Sequence, residues 1–140
     1  MAVEVTTKWL GNMRFESTNP SGHSLFIDAG EENGGKGEGY RPKALMLSSL
    51  AGCSGLDVAA LIKKMKLEVD TFKIDIEANL TEEHPKYYDK VGMHFHFYGD
   101  DLNEKKLQRA VDLSIEKYCG VMEMFRQFSD LSVETHFHRK

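Results

Sequence analysis

Residues 42–66 read PKALMLSSLAGCSGLDVAALIKKMK, and this stretch decides the fold. Pro42 suits the first turn of a helix, where the missing N–H costs no hydrogen bond. Residues 44–62 are apolar nearly all round, which indicates a helix that is covered on most sides. The lysines at the end of the stretch lie where cations offset the helix dipole. The pattern therefore predicts a central, buried helix.

Short segments in which apolar and polar residues alternate precede and follow this helix, and such alternation is typical of strands with one solvent-facing side. These segments are Val3–Trp9, Met13–Ser17, Leu25–Ile27, Phe72–Leu80, Met93–Tyr98 and Leu131–Phe137. Asn103 suits the N-cap of a second helix, and Gly120 interrupts that helix before a short third one over Val121–Phe128. The order β-β-β-α-β-β-α-α-β predicts an α+β fold with a mainly antiparallel sheet, in a single domain over residues 1–140.

The composition is that of an ordinary globular protein, with 41% hydrophobic and 29% charged residues. A net charge of −4 and the lack of a basic run argue against a nucleic-acid partner. Polar residues and Asp57 inside the apolar helix argue against a membrane span, and residues 1–10 hold no signal-peptide core. We therefore expect a cytoplasmic protein, in which two cysteines are more often reactive, metal-binding or inert than a permanent disulfide.

Cys53 lies in LAGCSGLD, within the most apolar helix. A free cysteine in such a place is often a small buried hydrophobe. Gly52 and Gly55 flank it, however, and glycines are costly in a helix interior unless another element approaches closely. Asp57 lies one turn further along the same face, and a buried carboxylate needs a partner. The helix therefore lines a polar site, although Asp57 itself would oppose a Cys53 thiolate.

Cys119 is the only other cysteine and lies at the end of the second helix, directly before Gly120. The separation of the two cysteines excludes a CxxC motif and zinc-ribbon spacing. A disulfide between them requires the two helices to pack together, and both helices have apolar faces that such packing would bury. A reactive Cys53 also requires a nearby cation, for which Arg14 and Arg41 are the candidates.

The sequence resembles the OsmC/Ohr family of osmotically inducible and organic-hydroperoxide-resistance proteins. The resemblance rests on Pro42-Lys43-Ala44-Leu45, on Ala51-Gly52-Cys53 in the same helix, on Ala110-Val111 and on Glu116-Lys117-Tyr118-Cys119. It covers residues 39–137 in order and spacing. Active members commonly have a glutamate directly after the proline, where this chain has Lys43. The chain looks more like the less characterised OsmC-like branch.

The resemblance implies an intertwined homodimer in which mainly antiparallel sheets wrap around central helices and each active site lies at the subunit interface. It implies that Cys53 is the attacking thiolate and Cys119 the resolving cysteine of a thiol peroxidase, with a dithiol as reductant. No arginine matches the family's catalytic arginine cleanly, and Arg14 is the best substitute, before Arg41. The reaction needs no bound cofactor or metal.

Two other patterns are weaker. Residues 30–37 read GEENGGKG and nearly satisfy a phosphate-binding loop, but Gly37 replaces the Ser or Thr that would ligate magnesium. We expect a mobile glycine-rich loop instead. Two histidine pairs, at 94 and 96 and at 136 and 138, can bind zinc in principle, but each lacks an obvious third ligand. We expect these histidines to lie on the solvent face of the sheet.

Two functions remain. The first is a thiol-dependent peroxidase that reduces organic hydroperoxides in oxidative-stress defence, since the apolar surroundings of Cys53 suit an alkyl peroxide. The second is a non-catalytic protein of the same fold that binds a small molecule or senses redox state, and Lys43 and Asp57 motivate it.

Overall fold

The computed structural model describes residues 2–140, which form two compact units, residues 2–46 and residues 47–140. The elements follow the predicted order, three strands, a long helix, two strands, two helices and a last strand. This confirms the α+β fold. The prediction of a single domain over residues 1–140 stays a prediction.

The first unit contains a three-stranded antiparallel sheet of β1 (Thr6–Gly11), β2 (Arg14–Thr18) and β3 (Ser24–Ile27). The first hairpin turns at Asn12 and Met13, and Gly11 and Asn12 have φ values of 103° and 49°. Both angles lie in the left-handed region that these residue types tolerate best. Gly11 and Asn12 thus let the chain reverse between β1 and β2.

The glycine-rich segment after β3 folds around the carboxylate of Asp28, which is buried. Its Oδ1 accepts from Ala29 N at 2.8 Å, and its Oδ2 accepts from Lys36 N and Glu38 N, each at 3.2 Å. The segment is thus tied into turns, in place of the loose loop expected from its composition. Two of its backbone N–H groups already donate to this carboxylate, so they are not available to bind a phosphate.

The long helix α1 spans Pro42–Lys64 and begins at the predicted proline. Only Leu50, Ser54 and Val58 are buried in it, whereas Leu56 is 76% exposed. The expectation that α1 is covered on most sides is therefore wrong for the chain taken alone. By length and composition, α1 is also the one helix in residues 2–140 that could cross a membrane, a test that core helices of globular proteins pass too.

The second unit contains a three-stranded sheet in the order β4 (Thr71–Leu80), β5 (Tyr88–Tyr98) and β6 (Asp130–His138). Strands β4 and β5 are antiparallel, whereas β5 and β6 are parallel. The inner face of the central strand forms the core with the buried side of α1. Its fully buried residues include Met93, Phe95 and Phe97, together with Leu50 and Val58.

Three helical segments join β5 to β6. Helix α2 spans Glu104–Leu113 and is capped as predicted by Asn103, whose Oδ1 accepts from Lys106 N at 3.1 Å. A single π-helical turn follows over Ser114–Tyr118, and α3 spans Gly120–Arg126. The predicted break therefore exists, and Cys119 lies in it.

Candidate functional site

Three polar side chains of α1 lie within two turns of one another in the second unit. Ser54 is fully buried, whereas Cys53 and Asp57 are half-buried. Residues four apart on a helix share a face, so Cys53 and Asp57 point to the same side. The apolar helix thus places a thiol, a hydroxyl and a carboxylate close together within the second unit.

The second cysteine is held by the break between the π-helical turn and α3. Cys119 N donates to Ser114 O at 2.7 Å, and Cys119 Sγ accepts from Met122 N at 3.3 Å. The backbone of Cys119 is extended, with φ −78° and ψ 103°, and the residue is only 4% exposed. A π-helical turn often marks a functional position, and here it orients the sulfur toward α1.

The two elements meet through a hydrogen bond in which Ser54 Oγ donates to Cys119 Sγ at 3.3 Å. Burial raises the pKa of the Cys119 thiol above its ordinary value, although the hydrogen bonds from Ser54 and Met122 oppose this rise. The neighbouring Cys53 thiol adds to it. Both cysteines are free thiols. The structure therefore places Cys53 near Cys119, with Cys119 held in its protonated form at neutral pH. That the two act as an attacking and a resolving cysteine stays a prediction.

The carboxylate of Asp57, which was predicted to need a partner, has one. Ser114 Oγ donates to Asp57 Oδ2 at 3.0 Å, and the same hydroxyl lies 3.4 Å from Ser54 O. Ser114 is itself fully buried at the start of the π-helical turn. This hydrogen bond joins α1 to the π-helical turn that directly precedes Cys119. Asp57 therefore has a role in the packing of the site.

The candidate cations belong to the first unit. Arg14 lies in β2, with its guanidinium 4.4 Å from the centre of the Phe26 ring and Nη1 4.0 Å from Glu38 Oε2. Its buried Nε has no hydrogen-bond partner among residues 2–140. Arg41 Nη1 donates to Gly39 O at 3.0 Å. The role of either arginine beside Cys53 stays a prediction.

The two serines that link the elements carrying the cysteines were not among the predicted site residues. Ser54 follows Cys53 directly, and Ser114 begins the π-helical turn after α2. A serine on an apolar helix face must find a hydrogen-bond partner, which was the available signal. Its partner, however, lies 57 or more residues away along the chain, and local pattern does not identify it.

The arrangement supports dithiol chemistry. Two free thiols lie next to each other, one half-buried and one buried, with a hydroxyl donating to the second. Within residues 2–140, the one group of three possible metal ligands includes neither cysteine.

Comparison with known proteins gives consistent matches. A family model described as OsmC-like protein matches residues 35–134. Protein YhfA of Escherichia coli (strain K12) is 30% identical over 125 residues, which cover 89% of this chain and 90% of YhfA.

Solved structures share the fold over nearly the whole chain. A hypothetical protein from Aquifex aeolicus VF5 is 30% identical with a TM-score of 0.86, and the match covers 100% of this chain and 98% of that one. An organic hydroperoxide resistance protein OsmC from Legionella pneumophila has a TM-score of 0.71 at 18% identity, with 97% of each chain covered. The second likeness is one of fold alone. The family match and the two relatives at 30% identity confirm the resemblance seen in the sequence: the chain belongs to the OsmC/Ohr family.

Proposed function

We propose that this protein is a thiol-dependent peroxidase that reduces organic hydroperoxides in defence against oxidative stress. The observation that carries the proposal is the juxtaposition of two free thiols, Cys53 on α1 and Cys119 in the break before α3. The hydroperoxide-resistance protein with the same fold from Legionella pneumophila supports the choice of substrate class.

The two cysteines differ in a way that supports different proposed roles. Cys53 is half-buried and accessible to a small substrate, whereas Cys119 is 4% exposed. The raised pKa of Cys119, caused first by burial, keeps this thiol protonated at neutral pH. Since the thiolate is the nucleophile, Cys53 attacks and Cys119 resolves.

In the first step, the Cys53 thiolate attacks one peroxide oxygen and the O–O bond breaks. The alkoxide leaves, takes a proton and becomes the alcohol, while Cys53 becomes a sulfenic acid. Cys119 then attacks the Cys53 sulfur, water leaves and a disulfide forms. A small dithiol reduces that disulfide by exchange and is itself oxidised to a cyclic disulfide. The Ser54 hydroxyl stabilises the Cys119 thiolate as it forms, because it already donates to that sulfur.

Arg14 is the cation that we propose for Cys53. Its buried Nε lacks a hydrogen-bond partner among residues 2–140, so one N–H remains for an anionic acceptor. A guanidinium beside a thiol favours the thiolate. Arg41 is the second choice, because it already donates to Gly39 O.

We also propose that the working unit is a cytoplasmic homodimer. Apolar side chains on α1 and around α3 are exposed in the single chain, among them Leu56 at 76%, Met124 at 64% and Tyr118 at 51%. A second copy that covers α1 would make it the central helix that its composition predicts. The proposed partners are therefore this second copy, the hydroperoxide and the dithiol, with no nucleic acid and no membrane.

Steady-state turnover tests the function. Purified protein is given cumene hydroperoxide and dihydrolipoamide, and loss of peroxide is followed for the wild type, Cys53→Ser and the surface control Ser132→Ala. We expect turnover by the wild type and the control and none by Cys53→Ser. Absence of turnover by the wild type, or equal turnover by Cys53→Ser, contradicts the proposal.

A second candidate is a non-catalytic binding or redox-sensing protein, and the carboxylate of Asp57 one turn from Cys53 favours it. The ultraviolet absorbance of the thiolate separates the two functions. A substantial Cys53 thiolate fraction at neutral pH supports the peroxidase, whereas a fully protonated Cys53 supports the second candidate.

A further inference from the structure

The outer face of the second sheet carries a group of imidazoles that the proposed function does not use. The parallel register of β5 and β6 places His94 opposite Glu134 and His96 opposite His136. Along β5 these side chains alternate with the buried Met93, Phe95 and Phe97, which makes the imidazole face the outer one. The solvent-facing position expected for the histidines is confirmed, but the strand pairing also supplies the third ligand that the sequence lacked.

Three potential ligand atoms converge on this face. His94 Nδ1 lies 3.1 Å from His136 Nε2 and 3.2 Å from Glu134 Oε2. His136 Nε2 lies 3.6 Å from the same Glu134 oxygen. The three atoms thus form a nearly equilateral triangle. They come from two strands, and His94 and His136 are 42 residues apart in the chain.

The size of this triangle fits a particular class of ion. Zinc is bound by imidazole nitrogen and carboxylate oxygen at about 2.0–2.2 Å in tetrahedral geometry, which separates any two ligand atoms by about 3.3–3.5 Å. The three measured separations bracket that range. Two histidines and one glutamate are a known donor set for zinc sites that leave the fourth position open. Here Glu134 is 62% exposed, so solvent reaches that position.

A further carboxylate orients the first histidine. Glu77 Oε1 on β4 lies 3.4 Å from His94 Nε2, the ring nitrogen that does not face the triangle. When Nε2–H donates to Glu77, the Nδ1 lone pair of His94 is left to face His136 and Glu134. Metal-binding histidines typically hold their second nitrogen in this way.

We propose that His94, Glu134 and His136 bind one divalent zinc-class ion on the outer face of this sheet. The ion links β5 to β6, and Glu77 acts as a positioning residue for His94. Among residues 2–140, no second group of three such donors converges, so the expected stoichiometry is one ion per chain. The neighbouring pair His96 and His138, 2.9 Å apart, lacks a third ligand atom on the shared side.

Isothermal titration calorimetry with Zn²⁺, on protein that carries no affinity tag, tests the proposal. We expect one ion per chain with an affinity in the micromolar range and no heat from Mg²⁺, which prefers all-oxygen sites. Glu134→Gln and His136→Gln are expected to abolish binding. Glu77→Gln should weaken it about 10- to 100-fold, as loss of an outer hydrogen-bond partner does. Circular dichroism checks that each variant is folded.

Two matched controls keep the test specific. His23→Gln removes a histidine of the loop before β3, and His138→Gln removes the adjacent imidazole of the second pair. Both should bind Zn²⁺ as the wild type does, and Co²⁺ bound to them should show the intense visible absorbance of a four-coordinate site. Failure of the wild type to bind Zn²⁺, undiminished binding by Glu134→Gln and His136→Gln, or loss of binding in either control overturns the proposal.

Discussion

Ser54 Oγ on α1 donates a hydrogen bond to Cys119 Sγ at 3.3 Å, although the two residues are 65 positions apart in the chain. This bond joins the helix that carries Cys53 to the break that carries Cys119. It also gives the buried thiol a donor in a place where burial alone would hold it protonated. Disulfide formation requires Cys119 to lose its proton, so Ser54 is a positioning residue for the second step of the proposed reaction.

Ser54→Ala should slow that second step and leave the first unchanged. Loss of one hydrogen bond to the forming thiolate predicts a rate of disulfide formation about 3- to 10-fold lower. Stopped-flow measurement after one equivalent of cumene hydroperoxide separates the two steps, and Ser132→Ala on the outer sheet face is the matched control. An unchanged rate of disulfide formation in Ser54→Ala would show that the hydrogen bond has no part in resolution.

Asp57→Asn should make Cys53 more reactive. The substitution removes a negative charge one turn from the thiol but keeps an oxygen that can accept from Ser114 Oγ. Alkylation of Cys53 by iodoacetamide at pH 7 should therefore be faster than in the wild type. Asp101→Asn, in the exposed turn before α2, should react at the wild-type rate. Slower alkylation in Asp57→Asn would indicate that the carboxylate assists the thiol.

The stability of the fold should fall at alkaline pH in a way that depends on Cys119. Burial raises its pKa in the folded protein, so the unfolded chain loses this proton at a lower pH. The contribution to stability is complete below the ordinary thiol pKa of about 8.5 and is lost as pH rises through the folded value. Urea unfolding between pH 7 and pH 10 should show a steeper loss for the wild type than for Cys119→Ala. An equal loss of stability with rising pH in the wild type and in Cys119→Ala would contradict a raised pKa of Cys119 in the folded protein.

Asp28 should have the opposite pH dependence. Burial acts to raise its pKa, but the N–H groups of Glu38, Lys36 and Ala29 together hold it below the usual value. A lowered pKa contributes stability above the ordinary carboxyl range, and that stability is lost as pH falls through the folded value. Asp28→Asn should unfold at lower urea than the wild type at pH 7 and lose less stability between pH 5 and pH 3. The control Asp101→Asn should have the same stability to urea as the wild type at pH 7 and should lose the same amount of stability between pH 5 and pH 3.

The exposed side of α1 predicts self-association. Light scattering after size exclusion should give the wild type twice the 15.9 kDa mass of one chain. Leu56→Glu places a charge on the apolar face of α1 and should shift the protein toward the monomer. Leu80→Glu, at the end of β4, is a control of similar chemistry and should not. A monomeric wild type would contradict the proposed dimer.

Much of the fold could be predicted from local pattern. Pro42 begins α1, Asn103 caps α2, and the alternation of apolar and polar residues predicted β4, β5 and β6. These features depend on backbone geometry within a few residues. Residue type and spacing indicate such local geometry directly.

The rest depends on contacts between distant residues. The parallel register that brings Glu134 beside His94 is set by how β6 returns to the sheet, and no local pattern encodes it. The same holds for the hydrogen bonds of Ser54 and Ser114 across the site. The expectation that α1 is covered was wrong for the single chain. An apolar sequence indicates that a helix is buried, but it does not indicate which element or which chain covers it.

Mass spectrometry after one equivalent of cumene hydroperoxide tests the central claim most directly. In the wild type, the account predicts a disulfide between Cys53 and Cys119, identified in the peptide digest. In Cys119→Ser, it predicts a sulfenic acid on Cys53 that dimedone traps. Two unmodified thiols in the wild type, or a dimedone adduct on Cys119 of a Cys53→Ser variant equal in yield to that on Cys53, would contradict it.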